Sequence, residues 1–157
     1  MKKTLILALM AVVLVATLGF APTVGADRTN AEGKGTLTAQ GDGIAILGGN
    51  GSVNISGNGI LWIKDLAGDA DITVTGYGTK KEFADGWLQY AGFHGSADVA
   101  GTRIVVVLAG VDIDLFVQGR GRVIFWGHGS YEINGQSGEW SMNPLSAHMR
   151  LASTGVK

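Results

Sequence analysis

The stretch from Gly33 to Ile63, GKGTLTAQGDGIAILGGNGSVNISGNGILWI, constrains the fold more than any other part of the chain. A Gly-x-Gly unit returns every eight residues, at Gly33/Gly35, Gly41/Gly43, Gly49/Gly51 and Gly57/Gly59. Between the units lie apolar pairs two apart: Leu37/Ala39, Ala45/Leu47, Val53/Ile55 and Leu61/Ile63. Every odd position from 33 to 63 is therefore glycine or apolar. Alternation with a period of two is the mark of a β-strand, whose side chains point to opposite faces in turn.

Asp42-Gly43, Asn50-Gly51 and Asn58-Gly59 have the composition of two-residue hairpin turns. Parity argues against that reading. Across such a turn residue i faces residue i+3, so inward parity must switch, yet here the odd apolar set runs through every Gly-x-Gly. The units read instead as bends or bulges in long, strongly coiled strands. Ile44, Ile46, Ile60 and Trp62 make the even face apolar too.

Asp65 to Asp69 reads as a turn, after which Ala70, Ile72 and Val74 put even positions inward. Thr79 to Gly86 reads as a charged hairpin tip, with Trp87 to Phe93 returning from it. From Phe93 to Gly135 odd parity resumes, through Val105, Val107, Ala109, Val111, Ile113, Leu115 and Val117. Residues 103–110 are apolar on both faces, as in a central strand covered on both sides. Gly119-x-Gly121 and Gly127-x-Gly129 repeat the opening spacing. No amphipathic helical period occurs. The expected fold is all-β: one compact antiparallel β-sandwich or small β-barrel with long glycine-bent strands, a β-solenoid being the alternative.

The first residues have the plan of an export signal. Lys2 and Lys3 precede an apolar run from Leu5 to Phe20, and Val24-Gly25-Ala26 offers a small-residue cleavage site. The run is short for a membrane span, which needs about 20 residues. The expected organisation is a signal peptide over 1–26, a β-domain over 27–140 and a flexible tail over 141–157. No membrane span is expected after cleavage, and the destination is the periplasm, the cell surface or the medium. The chain has no cysteine, so export without disulfides fits a prokaryotic envelope. Without Lys2 and Lys3, 10 basic residues face 13 acidic ones, a net charge near −3, which speaks against nucleic acid as a partner.

Candidate chemistry is sparse. Asp69 and Asp71 share one strand face, as do Asp112 and Asp114. If their strands are neighbours, the four could hold calcium, which takes six to eight oxygens. Otherwise no cofactor is expected. Alternating aspartates also serve simply to keep a strand face wet. Trp62, Phe116 and Trp126 occupy even positions, outside the inward set, and Trp87, Tyr90 and Trp140 lie near loops or strand ends. Such flat faces suit sugar rings or a protein partner, those of Trp62, Trp87, Tyr90 and Trp126 foremost, and Trp62 and Trp126 equally suit the second face of a sandwich. Arg120 and Arg122 share the parity of Trp126 and could hold an anionic group or stack on its indole. His94, His128 and His148 lack ligand spacing, and no serine sits in a nucleophile elbow.

The units Gly41-Asp42-Gly43 before IAIL, Gly49-Asn50-Gly51 before SVNIS and Gly119-Arg120-Gly121 before RVIFW resemble those of exported, mostly uncharacterised adhesin-like β-domain proteins of bacteria and archaea. The resemblance covers roughly residues 33–135. It implies a surface or envelope role and carries no catalytic residues. The expected function is that of an exported, non-enzymatic envelope or surface protein with a structural, adhesive or partner-binding role, its partner a glycan or another envelope protein. A carbohydrate-binding module is the first alternative, and a hydrolase using Asp69/Asp71 with Asp112/Asp114 the second.

Overall fold

The structure, a computed structural model, describes residues 35–142 and 149–150. The signal peptide expected over 1–26 and the lead-in that follows it lie outside the described residues. Five strands run in chain order: β1 (Gly35–Asp65), β2 (Asp71–Glu82), β3 (Trp87–Ile133), β4 (Gln136–Glu139) and β5 (Met149–Arg150). They form one antiparallel sheet, with β3 between β1 and β2 and with β4 and β5 also on β3. The described residues contain no helix. The all-β expectation holds, and the sheet is not closed into a barrel.

Two strands of 31 and 47 residues are far longer than ordinary ones. Pairing shows how they remain compact. Leu37 pairs with both Val117 and Ile133, and Val117 pairs with both Leu37 and Val53. Leu37 and Val53 thus flank one residue, about 10 Å apart, although sixteen extended residues would span about 53 Å. Chain β1 must come back beside itself every sixteen residues, and β3 does the same. The β1–β3 ribbon is therefore wound into a coil, and two eight-residue units make one turn.

The Gly-x-Gly units are the corners of that coil, and they meet each other. Gly41 and Gly43 pair with Gly129 and Gly127, and Gly49 and Gly51 pair with Gly121 and Gly119. The late copy of the motif is the antiparallel complement of the early one. At these corners the backbones are too close for a side chain: a Cβ on Gly49 would lie 2.3 Å from the Arg120 carbonyl oxygen.

The residue between the glycines also has a task. Two other corners of β3 are bulges, where Arg103 and Asp112 adopt φ of +53°, an unusual conformation for non-glycine residues. The Asn50 side-chain oxygen accepts the Arg103 backbone N–H at 2.9 Å, and the Asp42 carboxylate accepts that of Asp112 at 2.8 Å. Asp and Asn stand in these units because their short side chains satisfy donors that the bulges take out of the ladder.

The bulges correct one sequence expectation. Odd residues of β1 do point into the core, as do Phe93, Ala97 and Val99 of β3. Past Arg103 the inward set becomes Ile104, Val106 and Leu108, and past Asp112 it returns to Ile113, Leu115 and Val117. Val105 and Val107, expected in the same inward row, lie on the opposite face and are buried there. As expected, residues 104–108 are covered on both faces.

The coil thus has two walls around one core. The first wall runs through residues 71–77, 93–101, 51–57, 113–119, 35–41 and 129–133, in spatial order. The second runs through 87–91, 60–64, 104–110, 43–49 and 121–127. Leu37, Ile55 and Leu115 from the first and Leu47, Val106 and Phe125 from the second belong to the same buried cluster. The tail expected to be loose is partly paired: Ser141 bridges Trp126, and β5 pairs with Arg122 and Val123.

Asp65 closes β1. Its carboxylate accepts the N–H groups of Ala67 at 3.0 Å, Gly68 at 2.8 Å and Ala70 at 2.8 Å. These bonds, that from Ala70 foremost, hold its carboxyl below the usual pKa against the opposing effect of desolvation. A lowered folded-state pKa stabilises the fold above the unfolded value, and that contribution is lost as pH falls through the folded value. Asp65→Ala should therefore cost about 1–2 kcal/mol near neutral pH and less in acid, below the ordinary carboxylate range, as read by urea unfolding at both. An equal cost at both would show that the carboxylate's charge is not what organises the turn.

Candidate functional site

The two walls differ in what they turn outward. The second wall presents Ile44, Ile46, Ile60, Trp62, Ile124 and Trp126 away from the core. The first presents short polar side chains in rows that cross the strands. One row reads Glu132, Thr38, Phe116, Asn54, Asp98, Thr73, each the direct neighbour of the next. The adjacent row reads Ser130, Gln40, Asp114, Ser56, Ser96, Thr75. Residues directly opposite across strands stand about 4.5–5.5 Å apart, close enough for short side chains to bond.

Those bonds form. The Asn54 amide donates to the Asp98 carboxylate at 2.6 Å, and the Gln40 amide donates to that of Asp114 at 3.0 Å. The hydroxyls of Thr75 and Ser96 lie 2.9 Å apart. Each amide–carboxylate pair fixes two rotamers and leaves further lone pairs facing outward. The wall is thus a pre-ordered array of acceptors. Its two rows carry three carboxylates and no lysine or arginine.

Phe116 stands alone in this array, 40% exposed, as the one aromatic ring in the two rows. Beside it a groove of about 320 Å³ is lined by Ser52, Asn54, Asp71, Thr73, Asp98 and Phe116. A second groove, of about 400 Å³, starts at Thr38, the strand neighbour of Phe116, and continues along Gln40, Asp114, Ser130, Glu132 and Ser137. An apolar ring between two grooves of mixed polar and apolar lining can hold the apolar face of a ligand while the flanking polar groups orient its polar edge.

The structure disperses the aromatic residues singled out in the sequence. Trp62 is only 3% exposed, stacked on Phe83 at 5.3 Å and met edge-on by Trp87 at 6.0 Å. Its indole N–H has no hydrogen-bond partner among the described residues. Trp87 is buried beneath the Lys64 ammonium, 5.3 Å from the ring centre. Tyr90 is half-buried against the core. Trp62 and Trp87 are packing, and they offer no open face for a sugar. Trp126 is exposed, on the apolar wall, with half-buried Arg122 two rows away. Arg120 lies beyond the Gly121 bend, at the corner opposite Asn50. Among the described residues the cation–ring contacts are those of Lys64 on Trp87 and Lys81 on Phe83, and none involves an arginine.

The four acids do not converge. Residues 93–101 and 51–57 separate β2, which carries Asp71, from the segment carrying Asp114, so the neighbour relation needed for calcium is not met. Asp69 binds the backbone N–H of Thr102 at 2.9 Å and also its hydroxyl, and this hydroxyl bond foremost lowers its pKa. Asp112 forms a bulge, and its carboxylate accepts from the Asn58 amide at 2.9 Å. Among the described residues no group of three or more His, Cys, Asp or Glu side chains is placed to hold a metal ion. Of the acids proposed for hydrolysis, Asp71 lines the first of the two grooves and Asp114 the second. His94 bonds Asn58 and stacks on Tyr77, and His128 lies opposite Asp42 at another corner position.

Asn54, Asp98, Gln40 and Thr38 were not among the expected site residues, and Phe116 stood out only as one of the even-position aromatic rings. The signal for them was the polar even positions of the units Thr36–Gln40 and Ser52–Ser56, which alternate with the apolar even positions of the other two units. Comparison with protein-family models, with curated proteins and with solved structures gives no match.

Proposed function

We propose that this chain is an exported, non-enzymatic protein of the cell envelope or surface whose polar wall holds a neutral, hydroxyl-rich ligand, a glycan, in an adhesive or partner-binding role. One observation carries the reading: an exposed ring, Phe116, set among rotamer-fixed amides and carboxylates with a groove to either side. Sugar hydroxyls are donors, and carboxylate and amide oxygens are acceptors that bind them with charge assistance. The C–H face of a pyranose suits an aromatic ring. With three carboxylates and no cation in the two rows, the wall repels polyanions and favours neutral glycans. The N-terminal Lys2-Lys3 and apolar run support export.

A glycan array probed with the protein should retain it on neutral glycans. Phe116→Ala should weaken that binding at least about tenfold, or about 1.4 kcal/mol. Because Phe116 is largely outside the core, its melting temperature should stay near that of the wild type. No retention on any neutral glycan, or binding unchanged by Phe116→Ala, would sink the proposal.

A further inference from the structure

The sheet ends at β2, and that end is open. β2 pairs with β3 on one side and with no strand on the other among the described residues. Its twelve residues, DITVTGYGTKKE, contain no proline to block a further strand. All residues from Thr75 to Glu82 are exposed, and Tyr77 is the most exposed large hydrophobic among the described residues, at 78%. An unpaired strand of this length is a template for another strand.

We propose that the strand added there is β2 of a second copy, paired antiparallel about a two-fold axis through Gly76. The edge is complementary to itself in that register. Asp71 falls opposite Lys81, and the symmetry makes this pair twice. Thr73 falls opposite Thr79 and Thr75 opposite Tyr77, which sets a small polar side chain against the exposed ring. Asp71, Thr73, Thr75 and Tyr77 alternate with Ile72 and Val74, which pack on the core, so the polar residues share the outer face. Opposite charges directly across strands attract, and like charges there repel. β4 at the far end has four residues and cannot match the length of β2. An isologous contact also closes, and it limits growth to a dimer.

Sedimentation velocity of the exported protein over a concentration series tests this. The wild type should move from monomer to dimer, and Lys81→Glu should weaken the dimer by about tenfold or more, since it sets two like-charge pairs across the axis. The swap Asp71→Lys with Lys81→Glu restores both pairs and should restore dimerisation. Both positions are exposed, and circular dichroism checks that the variants fold. A wild type that stays monomeric at high concentration, a Lys81→Glu variant that dimerises as well as the wild type, or a double variant that fails to recover would each overturn the proposal. None of these outcomes depends on glycan binding at Phe116.

Discussion

Gly59→Ala should destabilise the protein by at least about 3 kcal/mol, at the upper end of what overpacking costs. A Cβ there would lie 2.0 Å from the carbonyl oxygen of Ala109 and 2.7 Å from the Cα of Gly110. Both are backbone atoms, so no side chain can turn aside to make room. Residues 104–110 are paired on both sides, with residues 43–49 and with residues 59–65. To accept one methyl group, the segment must retreat from Gly59 and strain or break hydrogen bonds on both sides. Urea unfolding should show a lower midpoint with an unchanged slope. Gly135→Ala is the comparison. Its φ is +83° and nothing lies within 4 Å of the added atom, so only backbone strain of about 1–2 kcal/mol applies. If Gly59→Ala costs no more than Gly135→Ala, close approach at the corners is not why the glycines are there.

That contrast shows how far the glycine repeat could be read: as bends in long, coiled strands, but without the length of the turn. Parity through Gly41-Asp42-Gly43 and its copies was enough to reject two-residue turns and to predict long bent strands, and the pairing agrees. The sixteen-residue turn was hidden, because the visible period is eight. Only the outward residues distinguish alternate units, with Thr36, Thr38 and Gln40 in one and Ile44, Ile46 and Gly48 in the next. The β3 bulges were also out of reach. Arg103 and Asp112 carry positive φ without being glycine, and what permits it is an oxygen supplied by Asn50 and Asp42, more than 50 positions away.

The candidate site was less legible than the fold, for a related reason. Trp62 and Trp87 have the chemistry of a sugar platform, and the apolar face that holds Trp62 was visible in Ile44, Ile46 and Ile60. Their burial depends on the β2–β3 turn bringing Phe83 onto Trp62, which no local pattern encodes. Phe116 stands out from the other even-position aromatics only when Thr38, Asn54 and Asp98 are known to lie beside it, and that requires the order of the strands. The four aspartates were a cluster in sequence alone. Two intervening strand segments part Asp71 from Asp114, and three of the four carboxylates already accept hydrogen bonds.

Phe125→Ala should cost about 3–5 kcal/mol, the usual range for emptying a buried aromatic site. Phe125 is fully buried, with Trp140 stacked on one side at 4.6 Å and Tyr131 at 5.7 Å. These rings join the last turn of the coil to the chain that leaves it. Trp140 is further tied by its backbone N–H to Gly129 at 2.9 Å and by its indole N–H to Ser130 at 3.1 Å. Both of those bonds reach only the neighbouring strand, whereas the stacking reaches the core. Removing the Phe125 ring should thus loosen the hairpin of residues 129–140 before the rest of the sheet. Hydrogen exchange should show that hairpin losing protection at denaturant levels where residues 104–110 keep theirs. Phe125→Leu keeps most of the volume but not the stacking, and should cost less than half as much. If protection falls equally in both segments, the hairpin is not a separate unit hung on Phe125 but an inseparable part of one cooperative coil.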